Sequence, residues 1–205
     1  MRRILIGLAL SLVALPVAAQ TRDQNMAQCQ DSDSDTRVAA CTALIQSGQE
    51  TSTVVAAAYN NRGIAFTDEV LYDRAIADFT QAIALKPDAD GAYINRGIVY
   101  DDRGLHDRAI ADYTQAIALK PDDADGYFNR GYDYWLKGLY DQAIADYTQV
   151  IALKPDDANG YFKRGVTYES KGLHDQAIAD YRAALKLQPD LTMAQDGLKR
   201  LGATP

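Results

Sequence analysis

The strongest constraint in this sequence is an internal repeat with a step of 34 residues. Lys-Pro-Asp occurs at residues 86–88, 120–122 and 154–156, and Gln-Pro-Asp makes a fourth copy at 188–190. Arg-Gly recurs with the same step, beginning at Arg62, Arg96, Arg130 and Arg164. Ala-Ile-Ala-Asp does so too, beginning at Ala75, Ala109, Ala143 and Ala177. Three motifs in one register indicate a stack of similar units rather than a single globular core.

Each unit carries two stretches of helical periodicity. In the second unit, Tyr93, Gly97 and Tyr100 fall at i, i+4 and i+7, which places them on one stripe of a helix. Residues 109–117 form a second such stripe of alanine, tyrosine and isoleucine. The small residues allow the two helices to approach closely, and the aromatic rings fill the space around them. Each unit is therefore predicted to be a helical hairpin.

Turn and capping residues mark the ends of the predicted helices. Residues 104–106 separate the two helices of the second unit, and we expect Asp107 to cap the start of the second helix. Pro121 ends that helix because its ring removes a hydrogen-bond donor and clashes with the preceding turn. Asp122 is then expected to help initiate the next unit.

These motifs closely resemble the tetratricopeptide repeat family, with four units at 56–89, 90–123, 124–157 and 158–191. The matching features are an aromatic residue at the fourth position, Gly at the eighth, Ala at the twentieth and Pro at the thirty-second. The resemblance implies an all-α fold, a right-handed superhelix or α-solenoid of helical hairpins. It also implies a concave groove lined by the first helix of each unit, through which such proteins bind partners.

The sequence departs from the family pattern in three places. The usual Leu at the seventh position is Arg in every unit, which suggests a subfamily with four Arg–Asp pairs: Arg62–Asp78, Arg96–Asp112, Arg130–Asp146 and Arg164–Asp180. Val150 replaces a small residue at the twenty-seventh position, and Val70 replaces the Gly between the two helices. These two changes are expected to affect local packing only.

The ends of the repeat array are predicted to be caps, because an open stack exposes an apolar face at each terminus. Residues 20–55 form the predicted N-terminal helical cap, in which 38–45 resembles the second helix of a degenerate unit with Cys41 at the place of Phe79. Residues 192–205 form the predicted C-terminal capping helix and tail. We expect Met193, Gly197 and Leu198 of that helix to face inward.

Residues 1–19 have the pattern of a signal peptide: a basic start, an uncharged apolar run and small residues before Gln20. A retained membrane anchor is the alternative, but Pro16 interrupts the run, which is shorter than the roughly 20 residues that cross a bilayer. The prediction is an exported protein without a membrane span after cleavage, periplasmic or alternatively extracellular. In that setting a structural disulfide between Cys29 and Cys41 is expected, since no Cys-x-x-Cys spacing supports a redox pair.

The composition argues against several function classes. A net charge of −7 argues against nucleic-acid binding, which needs clustered positive charge. With 2 His and 2 Cys and no catalytic or phosphate-binding motif, no catalytic residue, cofactor or metal ligand set is predicted. The segment 31–35 begins like a calcium loop but has Thr36 and Thr42 where Gly and Glu are required, so a helix-capping connection is favoured. His106 and His174 are expected to be surface turn residues, too distant for one metal.

Two sets of residues are candidates for partner binding in the groove. The sixth position of the four units carries Asn61, Asn95, Asn129 and Lys163, a ladder of polar side chains that either contacts a peptide backbone or only links adjacent repeats and water. The third unit adds an aromatic strip that continues into the fourth, formed by Phe128, Tyr132, Trp135, Leu136 and Phe162. Such a strip is either core or an exposed anchor patch for a partner. The anchor patch is favoured, because Tyr127 and Tyr134 already supply the core aromatics of this unit and because Trp and Tyr are typical of binding hot spots.

The sequence thus predicts a non-catalytic scaffold that binds a peptide segment or partner protein in its concave groove. The alternative is a calcium-dependent or enzymatic accessory protein of the cell envelope that uses its acidic surface. Self-association through uncovered ends or the apolar strip is a third possibility.

Overall fold

The computed structural model describes residues 21–31 and 33–204, and these residues form eleven α-helices and no β-strand. Eight helices pair into four hairpins, which we number 1 to 4. They are α3 (Ser52–Asp68) with α4 (Tyr72–Leu85), α5 (Asp90–Asp102) with α6 (His106–Leu119), α7 (Ala124–Leu136) with α8 (Tyr140–Leu153), and α9 (Ala158–Ser170) with α10 (His174–Leu187). The helices α1 (Arg22–Gln28) and α2 (Ser34–Gln46) precede hairpin 1, and α11 (Thr192–Arg200) follows hairpin 4.

Successive helices pack against each other throughout the described residues, from α1 on α2 to α10 on α11. This arrangement confirms the predicted α-solenoid. The predicted signal peptide, residues 1–19, lies outside the described residues. Across the two ranges that the structure covers, no helix combines the length and the apolar character needed to cross a membrane.

Each hairpin is closed by an aromatic ring of the second helix that packs on a glycine of the first. In hairpin 2 the ring of Tyr113 is 1% exposed, and a Cβ on Gly97 would lie only 2.6 Å from its Cε1 atom. The same contact recurs in the other hairpins, as Gly63 with Phe79, Gly131 with Tyr147 and Gly165 with Tyr181. The glycine is therefore required for the close approach of the two helices, as the sequence predicts.

A buried ion pair joins the two helices of every hairpin, and all four predicted Arg–Asp pairs are present. In hairpin 3, Nε and Nη2 of Arg130 donate to the two oxygens of Asp146, each at 2.8 Å. The Nη1 atom of Arg130 donates to Oγ1 of Thr114 in the preceding hairpin, at 3.1 Å. The rings of Tyr127 and Tyr134 lie 5.8 and 5.7 Å from the guanidinium carbon. One arginine thus fixes both its own hairpin and the contact with the preceding one.

The predicted cap of α6 was wrong by two residues, and the N-cap of α7 lies one residue after Asp122, the residue expected to help initiate that unit. In hairpin 2 the N-cap is Leu105, because the turn ends α5 with a hydrogen bond from the Leu105 N–H to the Tyr100 carbonyl and continues directly into α6. Asp107 is therefore already inside α6, where its carboxylate accepts from Nζ of Lys137 at 2.7 Å. At the start of α7 the cap is Asp123 rather than Asp122, and it accepts from the backbone N–H of Asp125 at 3.0 Å.

The turn between the helices requires the left-handed backbone conformation in each hairpin. Gly104, Gly138 and Gly172 adopt φ values of 70°, 72° and 80° there, whereas Val70 adopts 61° in hairpin 1. A β-branched residue is strained in this region, because its side chain crowds the backbone. Val70 is 64% exposed, so packing offsets little of the strain. The expectation that this replacement affects local packing only was therefore wrong, because the turn requires a left-handed backbone.

The N-terminal helices extend the stack by one imperfect unit. Arg62 donates to Oγ1 of Thr42 at 2.9 Å, just as Arg96 donates to Oγ1 of Thr80 at 3.0 Å. Cys41 therefore occupies the place that Phe79 has in hairpin 1, as the sequence predicts. The Sγ atoms of Cys41 and Cys29 lie 2.01 Å apart, which joins the end of α1 to the middle of α2.

The C-terminal helix α11 covers the exposed end of hairpin 4. Ala194, Gly197 and Leu198 are buried, and a Cβ on Gly197 would lie 2.5 Å from the ring of Tyr181. The predicted inward orientation of Met193 was wrong, since its side chain is 58% exposed. The buried stripe follows i, i+3 and i+4 from Ala194, and Met193 lies one residue outside it.

Candidate functional site

The first helices of the hairpins form the inner wall of the stack. Helix α5 contacts both α3 and α7 across the hairpin boundaries, in addition to its partner α6. Between hairpins 2, 3 and 4 this wall opens into a cleft of about 480 Å³. We call this space the groove cleft, and it is lined by Ile94, Asn95, Ile98, Ala124, Asp125, Phe128, Asn129, Val150, Lys154, Asp157 and Asn159.

Three of the sequence-predicted binding residues meet in the groove cleft: Asn95, Phe128 and Asn129. The Phe128 ring is half-buried and packs edge-on against Tyr147, with ring centroids 5.8 Å apart. The cleft thus combines an apolar wall with carboxamides, and a salt bridge of 2.9 Å between Lys154 and Asp125 lies at its rim. A mainly apolar cavity with a few polar groups is the usual composition of a binding site.

The asparagine ladder divides into two parts. At its N-terminal end, Asn95 Nδ2 donates to Asn60 Oδ1 at 2.9 Å, and Asn60 Nδ2 donates to Asn61 Oδ1 at 3.5 Å. These side chains link hairpin 1 to hairpin 2. By contrast, the side chain of Asn129 has no hydrogen-bond partner in the part of the chain that the structure describes, although it is half-buried. Asn129 lines the groove cleft, so its side-chain donor and acceptor are available to a molecule bound there.

Tyr132, Trp135, Lys163 and Ser170 form a second cluster, the aromatic patch, between α7 and α9. The rings of Tyr132 and Trp135 stack with centroids 6.1 Å apart, and the indole Nε1 donates to Oγ of Ser170 at 3.0 Å. Lys163 Nζ lies 5.0 Å from the centroid of the Tyr132 ring, and burial lowers the pKa of its ammonium group. Both rings are half-buried, so they join adjacent hairpins and still present a surface.

The two remaining members of the predicted strip differ from each other. Leu136 is 42% exposed at the end of α7, next to the aromatic patch. Phe162 is 8% exposed and packs against Tyr181, with ring centroids 6.0 Å apart. Placing Phe162 in an exposed strip was therefore wrong, because its ring belongs to the core of hairpin 4.

The sequence did not point to a third cluster, formed by Asp101, His106 and Asp133 from α5, α6 and α7. His106 Nδ1 lies 2.7 Å from Asp133 Oδ1 and 3.0 Å from Asp101 Oδ1. The expectation that His106 is only a surface turn residue was wrong, whereas His174 at the same position of hairpin 4 is exposed. Burial raises the pKa of the Asp133 carboxyl to about 7, Asp101 adds to the rise, and the hydrogen bond with His106 opposes it.

This cluster is also the one group of three or more potential metal ligands among residues 21–31 and 33–204. The calcium-like segment has a different role. Asp33 caps α2 by accepting from the Thr36 N–H at 2.8 Å, and Asp31 accepts from the Asp33 N–H at 3.0 Å. These carboxylates are used locally, which agrees with the helix-capping connection that the sequence favours.

The fold and the groove together define a class of protein: helical-repeat scaffolds that present a concave surface to other molecules. The chain belongs to the tetratricopeptide repeat family. Models described as "TPR repeat" match residues 102–138 and 131–172, and models described as "Tetratricopeptide repeat" match 56–89 and 158–191. Proteins of this family are typically interaction modules without catalytic activity.

Solved structures support the same fold. A crystal structure of MamA is 25% identical, with a TM-score of 0.72 over 84% of this chain and 97% of that one. MamA 41-end from Desulfovibrio magneticus RS-1 is 17% identical, with a TM-score of 0.73 over 83% and 94%. YrrB is 20% identical, with a TM-score of 0.67 over 89% and 100%. The latter two show similarity of fold alone. No curated protein sequence matches the chain.

Proposed function

We propose that this protein holds an extended segment of a partner protein in its concave groove, without catalysis and without a cofactor. The observation that carries the proposal is the groove cleft, in which the free carboxamide of Asn129 lies beside the apolar side chains of Phe128 and Ile98. A carboxamide donates and accepts at once, so it matches the alternating N–H and C=O groups of an extended backbone. The apolar wall supplies the contact area for one or two partner side chains.

The aromatic patch is proposed as the second contact, one step further along the groove. Trp135 and Tyr132 are rigid and amphipathic, and such residues contribute much of the binding energy in protein interfaces. Leu136 extends their apolar surface at 42% exposure. Lys163 has no carboxylate partner within the described ranges, so we propose that it favours an acidic group on the bound segment.

A similar use of the fold is known outside this chain. YrrB, which shares the fold, is described as a TPR protein with an unusual peptide-binding site. We also propose that this protein acts after export, in the periplasm, since residues 1–19 have the pattern of a cleavable signal peptide. N-terminal sequencing of the secreted chain tests this, with Gln20 as the expected first residue and an intact Met1 as the contrary result.

The groove proposal is tested with peptides selected on the mature chain from a display library, whose affinities are then measured by fluorescence polarisation. Asn129→Ala and Phe128→Ile are the test variants, and Ile is the residue that hairpin 2 has at the position of Phe128. Each is expected to weaken binding by about tenfold, the effect of losing one or two well-made contacts. Gln115→Ala, at an exposed site on α6, is the control and is expected to bind like wild type. Equal affinity of all variants would reject the groove.

A further inference from the structure

Asp133 is a buried carboxylate at a position that the repeat normally fills with core residues. The equivalent residues of the other hairpins are Ala65, Val99 and Thr167, and all four side chains are 0% exposed. A carboxylate in such a place is costly unless its charge and both oxygens are compensated. The Oδ2 atom of Asp133 has no hydrogen-bond partner within the described ranges. One oxygen of a fully buried carboxylate therefore lacks compensation.

The surroundings of Asp133 add negative charge and one imidazole. Asp101 approaches from α5 and His106 from α6, and the donor atoms of all three residues lie within 4.8 Å of one another. Donors bound about 2.0–2.2 Å from one metal ion lie roughly 3–3.5 Å apart in tetrahedral or octahedral geometry. The distance of 3.0 Å from His106 Nδ1 to Asp101 Oδ1 already lies in this range, and the distance of 2.7 Å to Asp133 Oδ1 needs only a small expansion.

The cluster is not a by-product of the repeat. The positions of Asp101, His106 and Asp133 are filled by Thr67, Tyr72 and Val99 one unit earlier, and by Trp135, Tyr140 and Thr167 one unit later. Within the described part of the chain, three potential ligands therefore coincide only at the junction of hairpins 2 and 3. The side chains of Asp101 and His106 are 23% and 30% exposed, which gives a cation a path from solvent to the buried carboxylate.

We propose that Asp101, His106 and Asp133 bind one divalent transition-metal cation, for which Zn²⁺ is the suitable probe. Two carboxylates neutralise the charge of a divalent ion, and the imidazole nitrogen favours zinc and its neighbours over calcium and magnesium. Three protein ligands leave at least one position open to water or to an external ligand. The ion would also join α5, α6 and α7, and so fix hairpin 2 against hairpin 3.

The test is a calorimetric titration of ZnCl₂ into tag-free protein that has been stripped with a chelator. The variants use residues that the scaffold itself places at these positions: Asp133→Val, after Val99, and His106→Tyr, after Tyr72. Wild type is expected to bind one equivalent of Zn²⁺ and to unfold at a higher temperature with Zn²⁺ but not with Ca²⁺. Both variants are expected to bind at least about tenfold more weakly. His174→Tyr is the matched control, and its affinity is expected to equal that of wild type.

Cobalt gives a second readout that does not depend on stability. Co²⁺ bound by a nitrogen and carboxylates absorbs in the visible range, and the bands are expected in wild type and His174→Tyr but not in His106→Tyr. Circular dichroism confirms that each variant is helical before the titration. Absence of saturable Zn²⁺ binding in wild type would overturn the proposal, and so would equal binding by His106→Tyr. Neither outcome depends on the groove cleft, so the two proposals fail independently.

Discussion

The Arg130–Asp146 pair allows the contribution of a buried ion pair to the free energy of unfolding to be measured. Arg130→Leu introduces the residue that is usual at this position of tetratricopeptide repeats, and Asp146→Ala removes the partner. The two side chains are 16% and 7% exposed, so each single variant leaves a charge in a largely dry environment. Arg130→Leu also removes the hydrogen bond to Thr114, and with it one link between hairpins 2 and 3.

The expected magnitudes follow from burial. Removing one member of a buried ion pair costs about 3–5 kcal/mol, chiefly because the other charge stays buried. Arg130→Leu is expected at the lower end of this range, near 3 kcal/mol, since Asp146 keeps a slight exposure. Asp146→Ala is expected to cost about 2 kcal/mol, because the longer Arg130 side chain has more access to solvent and keeps its bond to Thr114. The double variant removes both charges, and its free energy of unfolding is expected to fall by only about 2 kcal/mol. This is roughly 3 kcal/mol less than the sum of the two single losses, and the difference is the coupling energy of the pair.

The assay is urea unfolding followed by circular dichroism, with Trp135 fluorescence as a local probe of hairpin 3. The control cycle uses Lys137 and Asp107, a surface pair whose side chains are 31% and 87% exposed. Its coupling is expected to be below about 1 kcal/mol. If the losses of Arg130→Leu and Asp146→Ala simply add in the double variant, within about 0.5 kcal/mol, the two charges do not depend on each other and the reasoning is refuted.

Three further predictions concern backbone, packing and the cap. Val70→Gly is expected to stabilise the protein by about 1 kcal/mol in thermal unfolding, because glycine adopts the left-handed conformation without strain. Gly104→Val is the control and is expected to destabilise the protein, and a lower unfolding midpoint for Val70→Gly would contradict this reasoning. Gly97→Ala is expected to destabilise by roughly 1–3 kcal/mol through its clash with Tyr113, whereas Gly91→Ala, with open space around its site, is expected to be neutral or slightly stabilising in urea unfolding. Thiol titration of native protein is expected to find no free thiol at Cys29 or Cys41, and reduction is expected to destabilise the cap by about 3 kcal/mol; two titratable thiols would reject the bond.

The architecture was predictable because the residues that each helical hairpin requires recur in all four repeats. Gly97 and Tyr113 share one contact, and Arg96 and Asp112 share another, so a single hairpin predicts the other three. The caps were less predictable. Whether the N-cap of α6 is Leu105 or Asp107 depends on the hydrogen bonds of the turn that ends α5. An aspartate is favourable both as the N-cap and within the first turn of a helix, so the sequence alone does not distinguish the two positions.

The site was predictable in its composition but not in its contacts. Sequence position assigns Asn95 and Asn129 the same role, yet Asn95 donates to Asn60 whereas the Asn129 side chain has no hydrogen-bond partner among the residues that the structure describes. The reason is that hairpin 1 has Asn60 at the contacting position, where hairpin 2 has Ile94. Trp135 was identified, but its partner Ser170 lies 35 residues further along the chain. Asp133 had one available signal, an acidic residue where the other units have Ala65, Val99 and Thr167.

Hydrogen exchange of the protein, with and without a selected peptide, tests the groove most directly. The account predicts slower exchange in the first helices α5, α7 and α9, which line the groove cleft and the aromatic patch. The outer helices α4, α6 and α10, which contribute no residue to the lining of the groove cleft, are expected to exchange at unchanged rates. Protection confined to the outer helices, or to the terminal helices α1 and α11, would contradict binding in the groove.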